Sequence, residues 1–138
     1  MTEYRHLNLA EEHNRDIYHY LTGAVGPRPI ALTCTKDKDG NINLAPFSYF
    51  NVFASNPPTL VIGPNRSGRS GIMKDTGLNA TEHKQLTISL VNYDMVEQMN
   101  LTSAPFPRGI NEFERSGLTP VGSESVDVPY VGESPVAF

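Results

Sequence analysis

The most informative segment of the sequence reads Asn43-Leu44-Ala45-Pro46-Phe47-Ser48-Tyr49-Phe50. It belongs to a predicted strand, residues 42–54, yet it carries amide, hydroxyl and aromatic side chains where a plain core strand would carry valine and isoleucine. Because Pro46 has no N–H to donate to a neighbouring strand, this strand must bend, bulge or lie at a sheet edge. Backbone groups that leave the ladder form either a bulged barrel corner or a surface that faces a ligand, and the segment alone is compatible with both.

The segment is the second half of a predicted β-hairpin. Residues 29–35 form the first strand, and residues 36–41 form the loop, in which Gly40 supplies the positive φ that the turn needs. Eleven prolines and eleven glycines predict many short strands and shaped loops rather than a helix bundle. The further predicted strands are 59–63 and 85–91, and residues 118–121 and 126–131 are predicted to be strand pieces or extended segments. The predicted helices are 15–21 (capped by Asn14, stopped at Gly23), one entered through 72–76 and ending near Lys84, 93–100 (capped by Asn92) and 110–116 (ended by Gly117). The side chains predicted to face inward are Ile17, Tyr18 and Leu21 on the first helix and Met95, Val96 and Met99 on the third.

The composition limits the class of protein. A chain of 138 residues is long enough for one domain with a real core, so we predict a single domain over residues 1–138. The net charge of −4 argues against a general nucleic-acid binder, whose surface would be basic. No apolar run approaches the roughly eighteen residues that a membrane-spanning helix needs.

The single cysteine, Cys34, bears on the compartment and on reactivity. One cysteine cannot form an internal disulfide, which fits a reducing environment, and residues 1–6 lack the apolar core of a signal peptide. We therefore expect a cytoplasmic protein. Because Cys34 lies in the middle of a predicted strand, we interpret it as a small core residue rather than a nucleophile.

A second informative segment is the basic loop Pro64-Asn65-Arg66-Ser67-Gly68-Arg69-Ser70-Gly71. Arg66, Arg69 and Lys74 lie close together in an otherwise acidic chain, just before a predicted helix. Cations, glycines and hydroxyls at the start of a helix can bind a phosphate group, although the spacing is that of neither a Walker loop nor a Rossmann fingerprint. A solvated surface turn is the other interpretation.

The residues of common catalytic and metal sites are absent from the sequence. It has no HExxH, CxxC or GxSxG motif, and its four histidines (His6, His13, His19 and His83) are scattered, so we predict no metal site and name no catalytic residue. The acidic side chains are expected to be solvated. Such a chain suits chemistry that is carried by a cofactor, which the protein has only to bind, orient and tune.

Several motifs occur in an order that resembles the flavin reductase-like, FMN-binding split-barrel family. They are Tyr20-Leu21-Thr22-Gly23, Pro27-Arg28-Pro29-Ile30-Ala31-Leu32, Asn43 to Asn51, Ser55-Asn56-Pro57-Pro58, Lys74-Asp75-Thr76 with Asn79, Asn100 to Pro107, and Glu133-Ser134-Pro135-Val136. The resemblance implies a mainly β fold, a split β-barrel with peripheral helices, and a homodimer with FMN at or near the subunit boundary. It also implies an NAD(P)H:flavin oxidoreductase that uses NADH or NADPH as co-substrate.

The same resemblance implies the residues of the flavin site. Those lining the flavin would be Ala45, Pro46, Phe47 and Ser48; those around its phosphate Arg66, Lys74, Asp75 and Thr76; and those closing over it Ser103, Ala104 and Pro105. Phe47, Tyr49 and residues 29–31 would form an apolar platform for the ring. Because a carboxylate beside a phosphate is unfavourable, we expect Asp75 to cap the start of the helix instead.

The sequence departs from the family pattern at its carboxyl end. Family members usually continue well beyond the equivalent of Glu133-Ser134-Pro135-Val136, so we expect this chain to lack the C-terminal part of the barrel. The alternatives to a reductase are therefore a non-catalytic FMN-binding carrier or storage module and an inactive truncated fragment.

Overall fold

The computed structural model describes residues 4–67 and 70–138. The predicted contribution of Arg69 to the basic loop, and the first residues of the chain, lie outside these ranges. No helix within them has the length and hydrophobicity to cross a membrane.

The chain alternates short strands with short helices. The helices are α1 (Asn14–Ala24), α2 (Asp75–His83), α3 (Val96–Leu101, preceded by a 3₁₀ turn at Tyr93–Met95) and α4 (Glu112–Ser116). The strands are β1 (Ala31–Lys36), β2 (Ile42–Phe47), β3 (Phe50–Ser55), β4 (Pro58–Ile62), β5 (Thr87–Leu90), β6 (Pro120–Val121) and β7 (Tyr130–Val131). Each of the segments 118–121 and 126–131, predicted to be strand pieces or extended, contains a strand of two residues.

The strands form three antiparallel sheets in the described part of the chain. The largest has the order β2-β1-β5, and β3-β4 and β6-β7 form two-stranded sheets. The end of the chain adds a further pairing to β5, because the amides of Ile88 and Leu90 donate to the carbonyls of Phe138 and Val136, each at 3.0 Å. This sheet-rich architecture with peripheral helices agrees with the predicted mainly β class, whereas closure of a barrel stays a prediction.

The predicted strand 42–54 is divided into two. β2 ends at Phe47, the chain turns at Ser48 and Tyr49, and β3 begins at Phe50 in a different sheet. Pro46 lies on β2, which in the described part of the chain is an edge strand paired on one side only, with β1. A proline is tolerated there because no strand on the open side needs the N–H that it lacks. Of the three alternatives predicted at Pro46 (a bend, a bulge or an edge position), the edge position is observed. The prediction of one continuous strand was wrong, because the chain changes sheets after Phe47. The hairpin loop before it is confirmed, with Gly40 at a φ of 85°.

The main core lies on one face of the β2-β1-β5 sheet. Its buried members are Leu32, Cys34, Leu44, Met95, Met99, Phe113, Leu118, Val128 and Val131. The other face of β1 carries Ala31, Thr33 and Thr35, of which Ala31 packs in a second cluster with Phe50 and Ile88. Thr33 and Thr35 are fully buried on this face.

Two of the predicted helix faces differ from those observed. α1 is capped by the His13 side chain rather than Asn14 and continues through Gly23 to Ala24. None of its eleven residues is buried: of the side chains predicted to face inward, Ile17 is partly buried and Tyr18 and Leu21 are exposed. On α3, Val96 is 36% exposed rather than inward.

Other local predictions for the helices are confirmed. Met95 and Met99 are buried, and the Asn92 side chain accepts a hydrogen bond from the Met95 amide at 3.2 Å. Gly117 ends α4 with a φ of 75°, a conformation that favours glycine.

The environment of Cys34 predicts an inert thiol. Cys34 is 1% exposed, and desolvation, assisted by the nearby Glu112 carboxylate, raises the pKa of its thiol to about 12. Because the thiolate is the reactive species, the native protein should not react with Ellman's reagent at pH 8, whereas the urea-unfolded protein should release one equivalent of the coloured thiolate. A native thiol that reacts as fast as free cysteine would contradict the observed burial.

Candidate functional site

One face of β2 leads from the start of α2 to the corner at Ser48. Side chains alternate along a strand, so Asn43, Ala45 and Phe47 share one face while Leu44 points into the main core. The Asn43 amide nitrogen donates to Thr76 Oγ1 at 2.9 Å, which joins this face to the first turn of α2. Phe47 is buried at the far end of the strand.

The start of α2 has free hydrogen-bond donors. Lys74 precedes the helix, its side chain is exposed, and its carbonyl accepts from the amides of Gly77 and Leu78 at 2.9 and 3.1 Å. Within the described ranges, the amides of Asp75 and Thr76 have no acceptor within hydrogen-bond distance. Two free amides at the positive end of the helix dipole are favourable for an anion.

The basic loop folds back on the segment that enters α2. The Ser67 amide donates to the Ile72 carbonyl and the Gly71 amide to the Ser67 carbonyl, both at 2.8 Å. The Arg66 guanidinium donates to the Gly71 carbonyl at 3.1 Å and is exposed. Arg66 is therefore held close in sequence and space to the residues that lead to Lys74.

The predicted role of Asp75 as the helix cap was wrong. The capping position belongs to Lys74, which makes no side-chain capping bond, and Asp75 is the first helical residue. Its Oδ1 instead accepts a hydrogen bond from the Arg108 guanidinium at 2.9 Å. This ion pair compensates the charge of the Asp75 carboxylate. The unfavourable position of a carboxylate beside a predicted phosphate site is therefore offset by Arg108 and not by a capping role.

Thr76 is buried at the start of α2, whereas the predicted covering segment 103–105 is exposed. Thr76 is 1% exposed and its hydroxyl already bonds to Asn43. Ser103, Ala104 and Pro105 are exposed, and the Ser103 hydroxyl donates to the Asn100 carbonyl at 2.6 Å. No hydrogen bond in the described ranges joins this segment to β2 or α2.

The corner after β2 brings together Arg28, for which the sequence predicted no role in the site, and the predicted site residues Ser48 and Tyr49. Arg28 Nε donates to Ser48 Oγ at 3.4 Å, and its terminal nitrogen donates to the carbonyls of Thr22, at 2.8 Å, and Val25. The buried Tyr49 hydroxyl has no hydrogen-bond partner in the part of the chain that the structure describes. From Asn43 to Ser48 the strand extends for roughly 16 Å at the usual rise per residue.

Among the residues that the structure describes, two acidic side chains are buried, contrary to the expectation that the acidic residues would be solvated. Glu112 is 8% exposed, and its Oε2 accepts a hydrogen bond from the Leu44 amide at 2.9 Å. Burial raises the pKa of Glu112, although the Leu44 amide partly opposes the shift. Asp37 is 7% exposed, and hydrogen bonds from the side chain and amide of Asn41 hold its pKa below the usual range.

The chain matches a known protein family over most of its length. The family model described as "Flavin reductase like domain" matches residues 24–138. A relative from Aquifex aeolicus, named only as an uncharacterized protein, is 41% identical over 123 residues, which are 88% of this chain and 62% of the relative. The chain thus spans about three fifths of the length of the curated relatives that it matches.

Two solved structures show the same fold at clear sequence identity. Nitrilotriacetate monooxygenase component B from Bacillus cereus is 35% identical, with a TM-score of 0.91, and the match covers 99% of this chain and 67% of that one. The 2-nitrobenzoate 2-nitroreductase NbaA of Pseudomonas fluorescens is 34% identical, with a TM-score of 0.82, and the match covers 96% and 62%.

Proposed function

Because the chain belongs to the flavin reductase-like domain family, we propose that it is an FMN-binding oxidoreductase that transfers a hydride from NADH or NADPH to the flavin. The observation that carries the proposal is one continuous face of β2. At one end it adjoins the start of α2 with its free amides, and at the other it reaches the corner at Ser48. An elongated ligand with an anionic group at one end and a planar ring at the other matches this arrangement.

The start of α2 fits the phosphate end of FMN. The free amides of Asp75 and Thr76 would donate to phosphate oxygens, and the exposed side chains of Lys74 and Arg66 would supply positive charge. Because the Thr76 hydroxyl is already bonded to Asn43 whereas the amide has no acceptor among the described residues, we assign the backbone amide of Thr76 to this role rather than its side chain. The Asp75 charge does not oppose the anion, since Arg108 compensates it.

The corner of β2 fits the ring end. The backbone groups of Ala45, Pro46 and Phe47 lie on an edge strand, and Ser48 offers a hydroxyl whose orientation is set by Arg28. When bound, the flavin would supply the hydride-accepting chemistry, while these residues would bind and orient it. Ser103, Ala104 and Pro105 are exposed and would cover the ligand.

We also propose that the protein is a cytoplasmic homodimer with the flavin near the subunit boundary. Exposed apolar side chains on β3, Val52 at 65% and Phe53 at 71%, support a second copy as the partner. Light scattering of the purified chain tests this, and a monomer at micromolar concentration would contradict it.

An absorbance experiment tests the proposed function. The purified protein is incubated with FMN, desalted, and then treated with NADH or NADPH under nitrogen. A retained flavin band that bleaches supports the reductase. A retained band that stays yellow with both nicotinamides contradicts hydride transfer and leaves only flavin binding, and no retained band with no bleaching contradicts both.

Removing Lys74 should weaken FMN binding. Lys74→Ala is expected to raise the Kd for FMN about tenfold, because a charge-assisted hydrogen bond to phosphate is lost. The Kd for riboflavin, which lacks the phosphate, should not change. Fluorescence titration of both flavins measures the effect, and Lys38→Ala, which removes an exposed lysine from the hairpin loop, is the matched control. Equal FMN affinity in the two variants would refute the assignment.

A further inference from the structure

Arg108 connects the segment between α3 and α4 to the start of α2. One terminal nitrogen of its guanidinium donates to Asp75 Oδ1 at 2.9 Å. The other lies 3.4 Å from Asn79 Oδ1 and 3.8 Å from Asp37 Oδ2. Arg108 therefore interacts with two residues of α2 and with the β1–β2 hairpin loop, although its own loop gave no sequence signal for such a role.

The ion pair changes the electrostatics beside the free amides of α2. Asp75 is the first residue of the helix, so its charge lies next to any anion bound there. A carboxylate in the first turn stabilises the helix dipole, but left uncompensated it repels an anionic ligand. Arg108 supplies the compensating charge.

Arg108 also begins a chain of partly buried and buried hydrogen bonds that ends at the first turn of α2. Asn79, 2% exposed, accepts from Arg108 and donates to Thr35 Oγ1 at 3.2 Å. The Asn43 side chain lies 3.4 Å from the same hydroxyl and donates to Thr76. These bonds hold the first turn of α2 against β1 and β2.

We propose that Arg108 is a positioning residue that makes the start of α2 selective for a phosphorylated flavin. It neutralises Asp75 and orients Asn79, and it does not itself contact the phosphate. The inference rests on the proposed function and deepens it, since it assigns the preference for FMN over riboflavin to an ion pair outside the predicted set of site residues.

A double-mutant cycle that removes the two charges tests the inference. The variants are Arg108→Gln, Asp75→Asn and the double variant, and each is titrated with FMN and with riboflavin by fluorescence. Arg108→Gln should weaken FMN binding about tenfold and riboflavin binding less than about twofold, because only FMN carries the charge that the bare Asp75 repels. Asp75→Asn added to Arg108→Gln should restore FMN binding to within about twofold of the wild-type protein.

The controls separate the possible failures. Arg115→Gln removes an exposed arginine from α4, and it should leave both affinities unchanged. Equal weakening of FMN and riboflavin binding by Arg108→Gln would show that Arg108 has only a structural role. The absence of rescue by Asp75→Asn would exclude the charge mechanism. Either result overturns the inference and leaves the proposed function standing. A wild-type protein that binds neither flavin would overturn the proposed function, and the inference with it.

Discussion

Replacing Phe113 with alanine is expected to lower the free energy of unfolding by about 3–5 kcal/mol, the usual cost of removing a fully buried phenylalanine. Phe113 lies on the five-residue helix α4, is 2% exposed, and packs in the main core with Leu44 of β2 and Met99 of α3. It is among the largest fully buried side chains of the described residues, and its loss would leave a cavity between α3, α4 and β2.

Urea unfolding at pH 7 measures this effect, because the free energy of unfolding is obtained from the urea concentration at the midpoint and the dependence of the free energy on urea concentration. Phe113→Leu should lie between the wild-type protein and Phe113→Ala, and it keeps the experiment interpretable if the alanine variant does not fold. Arg115→Ala, on the same helix but exposed, should change the free energy by less than about 0.5 kcal/mol. If the urea midpoint of Phe113→Ala is no lower than that of Arg115→Ala, then the packing of Phe113 in the core does not contribute to stability as expected.

The parts of the fold that the sequence predicted are those governed by local chemistry. Gly40 and Gly117 take positive φ values where turns require them, and Asn92 caps the turn that follows it. Pro46 indicated a bend, a bulge or an edge position, and β2 does lie at the edge of its sheet. The break at Ser48 and Tyr49 was not predicted, because nothing in the pattern of alternating residues shows that the next strand joins another sheet.

The parts of the candidate site that the sequence missed depend on distant contacts. Asp75 and Arg108 are 33 positions apart, and Glu112 is 68 positions from Leu44. A charged residue in a short loop or helix usually faces solvent, so neither pairing could be inferred before the fold was known. The wrong role for Asp75 has the same cause, since its partner lies in a segment that sequence periodicity does not place.

The buried carboxylate of Glu112 should make stability depend on pH and on the chemical nature of the side chain. Leu44 lies on the edge strand β2, and its amide donates to Glu112 rather than to a neighbouring strand. Glu112→Ala is expected to lower the free energy of unfolding by about 1–3 kcal/mol at pH 7, because a buried amide loses its acceptor. Glu112→Gln keeps an oxygen that can accept from Leu44 and should be at least as stable as the wild-type protein at pH 7.

The sign of the pH dependence follows from the raised pKa of Glu112. Between the ordinary glutamate pKa, about 4.3, and the higher folded value, the folded protein binds more protons than the unfolded chain, so the contribution of Glu112 to stability falls as the pH rises through this window. The cost of the buried charge is fully present above the folded pKa and absent below the unfolded one.

The stability difference between Glu112→Gln and the wild-type protein should therefore shrink as the pH is lowered from 7 to about 4, because protonated glutamate and glutamine are both neutral. Urea unfolding of both proteins across this range measures the difference. Glu114→Gln, which replaces an exposed glutamate two positions further along α4, should show no such trend. A difference that grows on acidification would mean that the folded state favours the Glu112 carboxylate.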